Sequence, residues 1–127
     1  MTPIETVQAI YDALAARDVL AVLALIHPEC VLTQDERLPW GGRHVGHAGF
    51  ADFGMRLGAN IDSVVTTAAL YEADDEVIQF GRTKGTTVAT GTEFDIAEVH
   101  RWKIEDGLAV RAHFAIDTPG MLAALEA

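Results

Sequence analysis

The chain has 127 residues, the length of one average domain, and at 50% hydrophobic and 22% charged it can build a core without staples. Nineteen acidic against nine basic side chains give a net charge of −10, spread along the chain, which sets nucleic acid and anionic membrane aside as partners. Cys30 is alone, so no internal disulfide or cysteine metal spacing exists, no run reaches the ~18 apolar residues of a membrane span, and MTPIETV lacks the regions of a signal peptide; a cytoplasmic, reducing setting is expected.

Thr2-Pro3-Ile4-Glu5 has the form of a capping box with proline at the first helical position. Ile4, Val7, Ile10, Tyr11 and Leu14 then recur at helical spacing. Asp18 can cap a second helix with a broad apolar surface, which His27-Pro28-Glu29 is expected to stop. Cys30 to Thr33 reads as a short strand. From Gln34 to Gly49 the pattern disappears around Pro39-Trp40-Gly41-Gly42, which reads as a functional loop. Phe50, Phe53 and Leu57 predict a third helix, ending near Gly58-Ala59-Asn60. From Ile61 the period falls to about two, predicting strands over 64–71, 76–87, 91–104 and 108–116. Asp117-Thr118-Pro119 can cap a last short helix. No repeat or linker divides the chain, so 1–127 is read as one α+β domain.

Three segments, IYDALAARDVLAVLALIHPECVLTQ, WGGRHVGHAGFADFGMRL and HRWKIEDGLAVRAHFAIDTPGML, resemble the NTF2-like superfamily on its SnoaL-like, ketosteroid-isomerase-like side. The resemblance runs in the right order along almost the whole chain. It implies a cone: a strongly curved, mostly antiparallel sheet wrapped around N-terminal helices and an internal apolar cavity. Members include steroid isomerases, polyketide cyclases, dehydratases, epoxide hydrolases and non-catalytic subunits, so function must be argued from the pocket.

A three-residue turn after Ile104 would pair Ile104 with Leu108, Trp102 with Val110, His100 with Ala112 and Glu98 with Phe114. One face then carries Ile96, Trp102, Ala112 and Phe114, with Glu98 and His100 among them. Polar groups on such a wall need partners or a ligand. His100 is read as a pocket base or donor, or else as a histidine satisfied inside the sheet. Glu98 is read as a pocket group or a rim residue. Asp117 resembles the catalytic aspartate that follows this strand in SnoaL-like cyclases, although alternation turns it outward and N-capping gives it another role.

In ketosteroid isomerases the aspartate base would fall at Gln34, with Asp35 one residue later, and the oxyanion tyrosine at Ile10, beside Tyr11. The second oxyanion donor would fall near Val99 or His100. That set is broken, and steroid isomerisation is set aside. His44 and His47 lack carboxylates at a standard metal spacing, so no metal and no cofactor are expected. Trp40 is expected to close the cavity mouth, and Tyr11 to face the pocket or to be a satisfied core hydroxyl. Tyr11, Gln34, Arg37, Trp40, Phe53, Glu98, Trp102, Ala112 and Phe114 are the candidate substrate-binding residues.

The expected ligand is a small apolar or polycyclic molecule bearing a carbonyl. The expected chemistry is acid–base cyclisation, isomerisation or dehydration, with His100, Asp117 or Asp35 as catalytic residues and Arg37 among those orienting the oxygen. The alternatives are a non-catalytic binding or assembly subunit and an epoxide hydrolase built on Asp35 and Arg37. A homodimer is expected through the outer sheet face, where Ala97, Val99, Ala109 and Ala115 alternate with Arg101, Arg111 and His113.

Overall fold

In the computed structural model, which describes residues 1–127, Thr2 opens the first helix as its sequence requires. The Thr2 hydroxyl accepts the Glu5 N–H at 3.2 Å, and the Glu5 carboxylate accepts the Thr2 N–H at 2.8 Å. Helix α1 (Pro3–Ala15) buries Val7, Ile10, Tyr11 and Ala13 on one stripe. Asp18 accepts the Ala21 N–H at 3.1 Å and caps α2 (Val19–Ala24).

Helix α2 stops three residues before the expected breaker. Ile26 already begins β1 (Ile26–Gln34), so His27-Pro28 lies inside a strand rather than after a helix. The strand tolerates Pro28 because its register slips between Ile26 and Val31. The stretch without pattern contains β2 (Gly42–Val45) and the start of α3 (Gly46–Asn60). Gly46 makes that junction possible: its φ is +73°, and a Cβ there would stand 2.7 Å from the Pro28 carbonyl oxygen.

Four long strands follow, β3 (Ile61–Ala73), β4 (Glu76–Thr87), β5 (Glu93–Glu105) and β6 (Leu108–Ile116), and then α4 (Thr118–Glu126). They form one curved six-stranded sheet in the order β2-β1-β6-β5-β4-β3, antiparallel except for β1 beside β6. Trp40, Trp102, Ile10, Ile26, Leu32 and Met121 are among its fully buried side chains. Large apolar groups of this kind contribute about 1.5–3 kcal/mol each when buried.

The β5–β6 register corrects the sequence reading and explains why its main consequence survives. The turn has two residues, Asp106 and Gly107, both with positive φ, so Glu105 pairs with Leu108 and Ile104 with Ala109. A bulge at Val110 then adds a second one-residue displacement, after which Trp102 pairs with Ala112, His100 with Phe114 and Glu98 with Ile116. Two single slips restore the parity, so Glu98 and His100 stay on the inner face. Ala109 does not escape the change: it lies in the core at 0% exposure, not on the outer face.

Candidate active site

Strict alternation along β5 turns Phe94, Ile96, Glu98, His100 and Trp102 inward, and all five are buried. The same alternation on β4 buries Val77, Gln79, Thr83 and Thr87. Two ionisable groups thus enter an apolar interior, where an unpaired polar atom costs several kcal/mol. Helix α1 supplies the first partner. The Trp102 indole N–H donates to the Tyr11 hydroxyl at 2.9 Å, and that hydroxyl lies 2.7 Å from Nδ1 of His100. On the other side of the ring, Nε2 stands 3.2 Å from Oε2 of Glu98, and the Thr83 hydroxyl donates to Oε1 of the same carboxyl.

Strand β4 completes the arrangement. Gln79 faces His100 in the ladder; its amide donates to Thr67 Oγ1 at 3.2 Å and lies near enough to Glu98 to pull the pKa of that carboxyl down. Gly81 gives it room. A Cβ on residue 81 would lie 2.5 Å from the Gln79 amide nitrogen and 2.3 Å from the Thr66 carbonyl oxygen. A line of neighbouring polar side chains therefore runs Trp102, Tyr11, His100, Glu98, Gln79, Thr67, with Phe114 beside it. The Phe114 ring packs on the imidazole with centroids 4.3 Å apart.

Burial sets the electrostatics. It drives the His100 pKa down to about 3, with the His113 charge adding to the effect, so the imidazole is neutral near pH 7. Burial also raises Glu98, against the pull of hydrogen bonds from Thr83 and Gln79. Tyr11 is raised for the same reason; the Trp102 donation opposes the rise and the Glu98 charge reinforces it. All three groups are thus biased toward their uncharged forms. Oε2 of Glu98 faces Nε2 without hydrogen-bond alignment, and together with Oε1 of Gln79 it is a buried oxygen with no donor at rest.

These contacts allow two proton arrangements. In one, neutral Glu98 carries its proton on the oxygen 3.2 Å from Nε2, Nδ1–H donates to Tyr11, and the tyrosine proton is free to serve a ligand. In the other, the Tyr11 O–H donates to Nδ1, Nε2–H points at Glu98, and Glu98 is a carboxylate accepting from Thr83 as well. Passing from the first to the second releases one proton at the Tyr11 oxygen.

The other sequence candidates go elsewhere. Asp117 is exposed and caps α4, accepting the Gly120 N–H at 3.1 Å, because β6 has already ended at Ile116. Asp35 and Arg37 bind each other on the loop after β1, at 2.7 Å; the Arg37 guanidinium, then its N–H, hold the Asp35 pKa down to about 2, which makes it a weak base. Trp40 is not a movable cap. It is 1% exposed, and its indole N–H donates to the Gln34 side chain at 2.8 Å. Phe53 sits 5.8 Å from Phe114, and Ala112 is fully buried beside Trp102. His44 bonds backbone carbonyls and His47 bonds the Ile26 carbonyl; no three metal-ligating side chains converge. The sequence reading missed Gln79, Thr83 and Thr67. Its available signal was the alternation of Val77, Gln79, Thr83 and Thr87 on one face of a strand, which is too polar to be an ordinary core face.

The six-stranded sheet bent around its helices is an NTF2-like fold. Residues 7–112 match the SnoaL-like domain, and the chain belongs to that family. An NTF2-like protein from Burkholderia thailandensis superposes with a TM-score of 0.92 at 29% identity, over 98% of each chain. TerC, solved with polyporic acid, does so with a TM-score of 0.90 at 27% identity, also over 98% of each. An NTF2-like protein of unknown function from Burkholderia pseudomallei gives 0.92 at 25% identity, over 100% of this chain and 99% of that one. No curated protein matches the chain in sequence. No helix is long and apolar enough to cross a membrane.

Proposed function

We propose that this SnoaL-like protein is an acid–base enzyme acting on a small carbonyl-bearing molecule, catalysing an isomerisation, cyclisation or dehydration. The observation that carries the reading is the line Tyr11–His100–Glu98: three titratable side chains in sequence, all buried, each shifted toward its uncharged form by that burial. A structural network rarely needs a neutral imidazole between a phenol and a carboxyl, since a fixed amide would satisfy the same bonds without the cost of burying titratable groups. The co-crystal of TerC with polyporic acid supports small-molecule binding in a relative of the same fold.

In this mechanism water at the open face takes the α-proton while Tyr11 donates its proton to the substrate oxygen, where negative charge develops. His100 passes its Nδ1 proton to the tyrosine and takes one from Glu98 on Nε2. The carboxylate that remains is stabilised by Thr83, Gln79 and the new imidazole N–H. Proton return by the same path resets the site.

The test is exchange of α-protons in D₂O across a panel of cyclic ketones and quinones, read by proton NMR. Turnover on a responsive ketone should fall by roughly 10²–10⁴ in a folded His100→Gln variant. Ligand binding by the wild type with no exchange across the panel would favour the second reading, a binding or assembly subunit. The packing of Phe53 against both Phe50 and Phe114 is the observation on that side.

The same proposal includes a homodimer through the outer sheet face. Tyr71 and Phe80 are exposed there, edge to face at 5.9 Å, near half-buried Val99 and exposed Ala97 and Ala115. Arg101, Arg111 and His113 add polar contacts. Sedimentation at about 50 μM should give twice the mass of the 13.7 kDa chain; monomer alone removes the dimer.

A further inference from the structure

Two members of the buried line reach the same opening. Tyr11 on α1 and Thr67 on β3 line a groove of about 540 Å³ between those elements. Strand β3 is irregular at this point: its register against β4 slips between Thr67 and Ala69, leaving Ala68 as an extra, unpaired residue. Bulges of this kind bend a strand and recur beside active sites. On the helical side the Gln8 amide donates to Asp12 at 3.0 Å, so a carboxylate stands at the rim one residue from Tyr11. Beyond His100, by contrast, the interior is occupied by the Phe114 ring at 4.3 Å, with Phe53 behind it.

We propose that the α1–β3 groove is the ligand site, that its occupant is a small uncharged molecule with a carbonyl or phenolic oxygen and a second hydroxyl, and that these meet the protein at Tyr11 and Asp12 respectively. The volume falls in the range of small-ligand clefts. Asp12 accepts a hydroxyl and repels an anion, as does the net charge of −10. The inference rests on the acid–base reading for the fate of the molecule, not for its location.

The experiment is amide-resolved NMR titration of the full chain with 2,6-dihydroxynaphthalene and its anionic counterpart 6-hydroxy-2-naphthoate. The neutral probe should shift Tyr11, Thr67 and Ala68 and bind at least about tenfold more tightly than the anion; Asp12→Asn should narrow that gap. Ala15→Trp at the end of the groove, and independently Val65→Trp on the exposed strand, should weaken the neutral probe by at least about tenfold while the fold persists. Shifts centred on Phe53 and Phe114, equal affinity for both probes, or no shift at the solubility limit would overturn the proposal. Its failure is separable from that of the acid–base reading. Groove binding without ketone exchange retains the site and removes the chemistry, whereas exchange unchanged in both folded tryptophan variants removes the site and retains the chemistry.

Discussion

Two histidines are buried in this molecule to nearly the same degree, and their surroundings make them different objects. His44, 8% exposed on β2, places Nε2 at 3.0 Å and 3.1 Å from the carbonyl oxygens of Trp40 and Gly41. Carbonyls only accept, so that nitrogen must carry the proton and the tautomer is fixed. Phe53 meets the ring edge to face at 5.4 Å, and Asp52 is 3.8 Å from Nδ1. His100, 6% exposed, has a hydroxyl on one nitrogen and a carboxyl facing the other. Each of those neighbours can give or take a proton. One imidazole is a clamp on a loop; the other stands between two groups whose chemistry permits the two proton arrangements described above. Burial alone does not separate them, and the chemistry of their partners does.

The sharpest contrast comes from removing the partner rather than the histidine. Tyr11→Phe deletes the atom on which the proposed chemistry ends but keeps the ring that packs against Trp102 at 5.9 Å. Turnover on a ketone exchanged by the wild type should fall by roughly 10²–10⁴, with the midpoint of urea unfolding moved far less than that loss implies. Full turnover in a folded Tyr11→Phe variant would place the two histidines in one class, both structural.

The complementary change acts on the clamp. His44→Leu keeps the approximate volume but leaves two part-buried carbonyls without their donor, which should cost about 1–3 kcal/mol in urea unfolding. The exchange rate per folded molecule should be unaffected. A large catalytic loss with little destabilisation would mean that the β1–β2 loop takes part in the reaction and that the distinction drawn above fails.

The sequence carried part of this distinction and lacked the rest for identifiable reasons. The inward direction of His100 and Glu98 was legible because strand alternation is insensitive to even errors of register, and the turn and the Val110 bulge happened to supply two odd ones. The capping roles of Thr2, Asp18 and Asp117 were legible because they are local. The partners of His100 were not, since Tyr11 lies 89 positions away and its approach depends on how α1 crosses the sheet. Gln79 and Thr83 were lost for a related reason: nothing in β4 taken alone says which face meets β5's carboxylate. Trp40, flanked by proline and glycines, has the local look of a mobile loop tip. It is instead fixed by Gln34 and by the close backbone approach at Gly41, where a Cβ would fall 1.9 Å from the Asp35 carbonyl oxygen.

The smallest effect is also the one that reports on His100 without any substrate. Its pKa lies below the ordinary 6.5, at about 3, because burial penalises the cation and His113 adds repulsion. Between those values the unfolded chain binds a proton that the native state refuses, so stability must fall on acidification, by up to about 1.4 kcal/mol per pH unit from this group. Glu98 has the opposite sign. Its pKa is raised above the ordinary 4.5, so from 4.5 up to that raised value the native state holds a proton the unfolded chain has lost, and acidification there is stabilising. The two contributions offset where they overlap, and His100 acts without that opposition below about pH 4.5. Tyr11, also raised, contributes only in alkali, where stability falls as the unfolded phenol ionises above its ordinary 10. Urea unfolding measured from pH 7 to pH 3 should therefore show a difference between wild type and His100→Gln whose slope persists below pH 4.5. Parallel curves for the two proteins would mean that the His100 imidazole titrates alike in the folded and unfolded chains, and the proton path through it would lose its uncharged middle member.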